Sequence, residues 1–469
     1  MAKPSPQPAA PEKREFVSRL GALFSDSAYT DLPWKLLVFD VYLFLKHAWT
    51  IPFIFWPITP TKSGELGELH PTWDNFHSIA IQLMLGILQV LALASLPWLM
   101  LLPVWMAIVV LAGFLVINKA LCNLVNDDQV EYRSDPKYAP ALPEHAHEQW
   151  IYINGVTAGS HWMQTNVNRL AATFKRPILG IHNKTSGLLL DILECLIQRN
   201  LGYATCDVRV CYRIIKSKLH DPRYSKVIFL LHSQGGVQGS LVLDWLLQEL
   251  PQDLLAKMEI YTFGNASSHF NNPLRFTRNC RTTVPAQTIP HIEHYTHAYD
   301  FVARWGALHF ATSRTPTSSP NPAAMSPRFA GRVFLRKGRG GNGHLLVQHY
   351  LDGMFPVRKR AVRDENTGRV MEEWEVTDGE GENPFMESEV AICDGVNGID
   401  KEGDDEWNKK EGFAFGEDVE VYGLETRDCF GKEEGQGKIK VKELSRLWQY
   451  RNGRCPREVS SGLVRTSTV

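Results

Sequence analysis

The stretch Lys226 to Leu250, KVIFLLHSQGGVQGSLVLDWLLQEL, holds the residue types and spacing with the clearest chemical meaning. KVIFLL reads as a buried strand, and the residues after Ser233 open a helix that runs to Leu250. A strand running straight into a serine and then a helix must turn sharply. That turn lifts the Ser233 hydroxyl above the carboxyl edge of the sheet and aims the next backbone N–H at a substrate oxygen. Strand and helix then pass close together, and Gly235, Gly236 and Gly239 supply the small residues this needs. The chemistry implied is attack of a serine oxygen on an acyl carbonyl. A serine between strand and helix also serves as an ordinary N-cap, so both roles are open at this point.

These residues resemble the α/β-hydrolase superfamily, in particular its lipase-like members, whose pattern is G-x-S-x-G. Here the five positions read Leu231-His232-Ser233-Gln234-Gly235, so leucine replaces the first glycine and the turn must accommodate a larger side chain. The resemblance implies an acid and then a histidine further along the chain. AYDFVARWG, after the strand HIEHYTH, puts Asp300 just beyond a strand end, and GNGHLLVQHYLDGMF puts His344 just before a helix. In the mechanism this implies, His344 takes the proton from Ser233, and Asp300 fixes the imidazole tautomer and stabilises its charged form. Water then releases the acyl group. Asp300 could instead cap a helix, and His344 could be a solvated loop residue. Glu293, within a strand, is the reserve acid, and His349, one turn into its helix, is the reserve base.

The tetrahedral oxyanion also needs donors. Gln234 N–H follows the nucleophile, and the turn INGVTAGSHW offers a second from Val156 or Thr157, with Gly155 letting the backbone approach. YTFGNASSHFNNP resembles the TFG-containing loops of lipase-like hydrolases, where it would wall the site. Asn183-Lys-Thr and Asn265-Ala-Ser are formal glycosylation acceptors beside expected sheet edges. The resemblance covers Gln149 to Met354. The layout of an N-terminal hydrophobic region, this core and the ending KELSRLWQYRNG is similar to uncharacterised fungal membrane-associated hydrolase-domain proteins.

Elements that could position such a site follow from the pattern of the chain. WIYINGV (Trp150 to Val156) reads as a strand and MQTNVNRLAATF (Met163 to Phe174) as a helix with its apolar stripe at Val167, Leu170 and Ala171. PILGIHN is the next strand and SGLLLDILECLIQR the next helix. Lys226 to Leu231, Met258 to Phe263, His291 to His297 and Arg332 to Arg336 complete the strands. Strands in regular exchange with helices imply an α/β protein with a mostly parallel sheet flanked by helices, the α/β-hydrolase fold that the resemblance also implies. ATSRTPTSSPNPAAMSPR is a Ser/Pro-rich surface loop.

From Asn75 to Asn118 there is no Asp, Glu, Lys or Arg. This run is long enough for two short membrane crossings, with Pro97 and Pro103 marking the turn of a helical hairpin that spans or dips into one leaflet. Leu36 to Ile58 is apolar but broken by Asp40, Lys46 and prolines, which fits an interfacial helix. The expected organisation is residues 1–75 as a polar N-terminus with that interfacial segment, 76–123 as the hairpin and 124–148 as a linker. Residues 149–360 form the hydrolase domain, and 361–469 an acidic flexible tail ending in a short helix over Val441 to Tyr450.

At 469 residues with a net charge of −1, the chain is long enough for a large core and is not a generally basic nucleic-acid binder. Eight cysteines without CxxC pairs argue against a metal cluster, and no cofactor is implied. No apolar signal segment opens the polar, proline-rich N-terminus. The expectation is a membrane-anchored serine hydrolase, lipase- or esterase-like, cleaving an acyl ester in lipid or lipid-modified substrate. Its partners are then the lipid bilayer and that substrate. A catalytically inactive membrane scaffold and a thioesterase or peptidase are the alternatives. An internal membrane such as endoplasmic reticulum or lipid droplet, with the domain facing the cytosol, is the expected location.

Overall fold

The computed structural model describes residues 30–56, 58, 62–279, 282–312, 329–338, 343–363, 370–379, 381–392, 419–422 and 439–456. The polar N-terminus, most of the Ser/Pro-rich loop and much of the acidic region lie outside them.

Helix α1 (Pro33–His47) starts with proline at its first position, where the missing N–H removes no helical bond. It continues into a 3₁₀ turn, Ala48–Ile54. Helix α2 (Trp73–Leu99) is capped by the Thr72 hydroxyl, which accepts from Asn75 N. Helix α3 (Val104–Val125) begins after Pro103, so the expected turn between the two prolines is Met100–Pro103, with Pro97 inside the last turn of α2. By length and composition, Pro33–Ile54, α2 and α3 are each apolar enough to cross a membrane. α2 has 27 residues, a span of about 40 Å at 1.5 Å per residue, against roughly 30 Å of hydrocarbon. Most apolar side chains of the hairpin are exposed.

The strands are β1 (Glu131–Arg133), β2 (Glu148–Ile153), β3 (Ile178–Ile181), β4 (Lys226–His232), β5 (Met258–Phe263), β6 (Leu274–Asn279), β7 (Thr282–Gln287), β8 (His291–His297), β9 (Arg332–Arg336), β10 (Val357–Arg363), β11 (Val370–Val376), β12 (Val390–Ile392) and β13 (Val419–Tyr422). Nine of them form one sheet in the order β1-β3-β2-β4-β5-β8-β9-β13-β12. From β3 to β9 every pairing is parallel, and β1 and β13 pair antiparallel at either side. Both faces are covered, so β3, β4, β5 and β8 are buried along their length rather than on alternate residues. Alternate residues feed two cores: Ile228 and Leu230 of β4 join one, Val227, Phe229 and Leu231 the other. Helix α4 (Ser160–Phe174) packs on the first face, and α5 (Leu188–Leu201), α6 (Cys206–His220) and α7 (Gln234–Glu249) on the second.

The chain moves from β2 to β3 on one side, then returns to place β4 on the other side of β2. Such a reversal opens a crevice at the carboxyl ends of the two strands it separates, the usual place for a ligand in an open α/β sheet. The turns after β2 and β4 meet there.

Two expectations need correction, and a third gains a docked face. The linker 124–148 contains β1, which pairs with β3 and extends the sheet. The interfacial helix α1 has a docked face: Leu43 is buried, Asp40 pairs with Arg199 at 2.8 Å, and Trp305 Nε1 donates to the Asp40 carbonyl. Its Leu37, Val38, Val41 and Leu45 remain exposed. The region from 361 onward is more than an acidic flexible tail. β10 and β11 form a hairpin, β12 and β13 join the sheet, and Trp374, Phe385, Val421, Leu447 and Tyr450 enter the core. Arg446 holds the buried Glu259 at 2.8 Å, locking the C-terminal turns (Val441–Leu444, Arg446–Gln449) under the sheet.

Candidate active site

Ser233 joins β4 to α7 with φ 57° and ψ −122°. A non-glycine residue there is strained by about 1–3 kcal/mol and persists only where its surroundings hold it. They do: Ser233 N donates to Phe263 O at 3.1 Å, and Ser233 O accepts from Gly236 N at 3.0 Å and Ala266 N at 3.2 Å. Although Ser233 occupies the N-cap position, its side chain makes no capping bond. Its hydroxyl is therefore not spent on the ordinary role that the sequence left open.

The glycines act as expected, and one accounts for the leucine in the motif. A Cβ on Gly235 would lie 2.7 Å from Ile153 O, and one on Gly239 would lie 2.3 Å from Leu231 Cδ1. Gly239 is thus the room that Leu231 fills, about one helical turn beyond the close approach at Gly235 and Gly236.

Asp300 follows β8 and performs two tasks with two oxygens. Oδ1 caps the short helix α8 (Phe301–Trp305), accepting from Val302 N at 2.8 Å. Oδ2 accepts from His344 Nδ1 at 2.8 Å and from Tyr350 Oη at 2.7 Å. Burial pushes this carboxyl up, but His344 and the two side-chain hydrogen bonds outweigh it, and its pKa ends below the ordinary value. The structure therefore pairs acid and histidine directly. His344 Nε2 is buried and makes no hydrogen bond among the described residues, so it does not bond to Ser233. Such bonds are often long without substrate and tighten when it binds.

Two features bind these groups to the elbow. The ring of His232 stacks on that of His344, centroids 4.8 Å apart. Gly264, in the TFG loop, has φ +53°, and a Cβ there would lie 2.7 Å from Asp300 Oδ2 and 2.8 Å from His344 Nδ1. The loop walls the pair so closely that only glycine fits.

The turn after β2, which holds the candidate oxyanion donors, lies against Ser233: a Cβ on Gly155 would sit 2.4 Å from Ser233 Cβ and 2.9 Å from its Oγ. Gln234 N is at the first position of α7, ahead of the intrahelical ladder. Thr157 N–H, a candidate donor from the sequence, is committed to Asp191 Oδ2 at 3.0 Å. Thr157 is thereby corrected from donor to support, and Val156 N–H is the turn's remaining candidate.

The reserve groups are engaged elsewhere. Glu293 accepts from Tyr295 Oη at 2.6 Å and Arg446 N at 2.8 Å, toward the start of β8. His349 Nδ1 accepts from Leu345 N at 3.0 Å. Asn183 and Asn265 are buried, and Asn183 Nδ2 donates to Gln234 Oε1 at 2.7 Å, so both glycosylation sequons are structural. Among the described residues His145, Glu148 and Cys455 lie close enough for a metal, but Arg176 already contacts Glu148 at 2.9 Å and Cys455 Sγ at 3.3 Å. Its guanidinium supplies the cation.

Sequence reasoning missed His232, Tyr350 and Asp191 as members of this site. Asp191 left a trace, an acid in the first turn of the apolar helix SGLLLDILECL. His232 and Tyr350 left none, since their partners are remote in sequence.

Fold and site together define a mixed α/β protein with a largely parallel sheet, three apolar helices toward its N-terminus and an Asp–His pair beside a strained serine. Comparison with family models, curated proteins and solved structures finds no match, so the geometry itself carries the functional reading.

Proposed function

We propose that this protein is a membrane-anchored serine hydrolase of the α/β-hydrolase class that cleaves an acyl ester. The observation that carries the reading is the buried Asp300–His344 pair, 2.8 Å apart, with His344 Nε2 making no hydrogen bond among the described residues and its ring stacked on His232, the residue before the strained Ser233. Asp300 accepts a hydrogen bond from Nδ1–H, so the neutral imidazole presents its lone pair at Nε2. His344 takes the Ser233 proton as Oγ attacks the carbonyl, and Asp300 stabilises the resulting imidazolium. The N–H groups of Gln234 and Val156 receive the oxyanion. His344 then protonates the leaving alcohol, and water, deprotonated by the same nitrogen, releases the acid and restores Ser233.

Lipid or a lipid-modified protein is the substrate class. The exposed apolar face of α1, the hairpin, and Leu188, Leu193, Leu201 and Tyr203 on and after α5 belong to helices that pack on one another. Together they support a domain resting in the membrane surface. We place it on the cytosolic face of an internal membrane, and complete protection of the domain from protease in sealed microsomes would reverse that orientation.

The rival reading is a non-catalytic scaffold, favoured by the 2% exposure of Ser233. Fluorophosphonate labelling of the full chain separates them: a hydrolase labels and Ser233→Ala does not, whereas a scaffold labels in neither. Screening against esters, thioesters and amides then identifies the leaving group.

A further inference from the structure

Between Asn75 and Lys119 the hairpin carries three amide side chains, Gln82, Gln89 and Asn118, and all three turn back to the globular domain. Amides on helices this apolar are expensive in lipid unless they find partners. Gln82 Nε2 donates to Thr157 O at 2.9 Å. Gln89 Nε2 donates to Ser186 O at 2.7 Å, its Oε1 accepts from Leu189 N at 2.9 Å, and Asn118 Nδ2 donates to the same Ser186 O at 3.1 Å. The hairpin therefore grips two loops: the turn after β2, and the loop that leads from β3 into α5.

Asp191 ties those loops together. Its Oδ2 accepts from Thr157 N and from Thr185 Oγ1, and its Oδ1 accepts from Ser186 N at 2.7 Å. Thr157 is held from both sides, its N–H by Asp191 and its carbonyl by Gln82. It needs both, because it is a β-branched residue at φ 59°, a conformation it would otherwise leave. The peptide on its N-terminal side joins Val156 C=O to Thr157 N–H, and the peptide before that one carries Val156 N–H beside Gly155, which lies against Ser233.

We infer that Gln82 is a positioning residue for the oxyanion side of the site, acting through the Thr157 carbonyl on the orientation of Val156 N–H. The apolar hairpin is then part of the catalytic apparatus as well as an anchor. This rests on the hydrolase reading above.

The test uses the full-length protein in detergent micelles and a fluorophosphonate probe, whose phosphoryl oxygen would occupy the same donors. Gln82→Leu keeps the side chain's bulk and removes the N–H donor. Its labelling rate constant at saturating probe should fall by about 10-fold or more, with the half-saturating probe concentration unchanged within about 2-fold. Leu83→Ala, on the exposed face one residue away, should label like wild type. Gln82→Glu supplies a donor only while its carboxyl is protonated, so the ratio of its rate to that of wild type should fall as pH rises. A purely structural tie would not produce that slope. A wild-type rate constant in Gln82→Leu, or a flat Gln82→Glu ratio, overturns the inference, and the ratio decides alone if Gln82→Leu does not fold. Wild type that labels no better than Ser233→Ala overturns the hydrolase reading instead, and this inference with it.

Discussion

The imidazole of His232 lies flat against that of His344, and its Nε2 is 2.9 Å from the His344 carbonyl oxygen. Burial, and after it the neighbouring imidazole, push the His232 pKa down to about 3. His232 is therefore neutral near pH 7. A neutral ring also donates Nε2–H to the carbonyl, fixing the backbone of His344.

Replacing that ring tests its role and carries a pH signature. His232→Phe keeps a flat partner and loses the donor, so fluorophosphonate labelling at pH 7.5 should slow by about 10-fold. The folded pKa lies below the unfolded value of about 6.5, so the unfolded chain binds the extra proton. Wild-type stability from this site is complete above pH 6.5 and declines toward pH 3, by up to about 1.4 kcal/mol per pH unit. The Tm deficit of His232→Phe at pH 7.5 should therefore shrink at pH 5. A deficit that is constant or grows on acidification would show that His232 is not held neutral by the fold.

Asp300 separates two functions that the sequence presented as alternatives. Asp300→Asn keeps an oxygen for the Val302 N–H cap but no longer fixes the His344 tautomer. We expect near-wild-type Tm with labelling slowed by about 10³–10⁴-fold, the loss typical of an acid-to-amide change at such a site. Asp300→Ala also loses the cap, about 1 kcal/mol, and strands the Tyr350 hydroxyl. Equal labelling by wild type and Asp300→Asn would remove Asp300 from the mechanism.

Gly264 should tolerate no side chain. At φ +53° alanine is strained, and its methyl would lie within 3 Å of both Asp300 and His344. Gly264→Ala is expected to lower Tm by several degrees and to abolish labelling within the detection limit. Normal labelling by a stable Gly264→Ala protein would mean that the loop does not wall the acid–base pair.

How much of this was legible beforehand depends on the range of the signal. β4, the elbow and α7 were readable because strand, Ser233 and three glycines are contiguous. Asp300 and His344 were readable only through their order after strands, and the structure adds that one carboxylate both caps and pairs. The region beyond 361 was misread because its acidic composition concealed β12 and β13. These strands have 3 and 4 residues, too short for any periodic pattern. Thr157 was misassigned because its competitor, Asp191, lies 34 residues away. Helix α1 gave an apolar stretch, but its docked face rests on Asp40 finding Arg199, a partner that no local pattern reveals.

The misread region supplies its own test. Arg446 Nε and Nη2 both donate to Glu259 Oε1, at 3.0 and 2.8 Å, beneath the centre of the sheet. Removing one partner of a buried pair leaves the other uncompensated, typically by about 3–5 kcal/mol. Arg446→Met should show that loss in chemical denaturation, and Glu259→Gln with Arg446→Met should recover part of it. An Arg446→Met protein as stable as wild type would return the C-terminal turns to the status of a loose appendage.

Glu68 links the segment ahead of the hairpin to the helix after His344. Its Oε2 accepts from Val347 N at 3.1 Å, while Ile54 O accepts from His344 N at 3.1 Å. Burial raises the Glu68 carboxyl to about 7 despite the backbone N–H groups that favour its charge. Here the folded state binds the proton more tightly than the unfolded one, whose carboxyl titrates near 4.5. Stability from the site is thus complete below pH 4.5 and is lost as pH rises through 7. Glu68→Gln, a permanent analogue of the protonated acid, should match wild type in Tm at pH 5 and exceed it at pH 8. If its advantage is the same at both pH values, Glu68 is not titrating in the folded protein, and the link between the membrane-proximal segment and His344 is insensitive to pH.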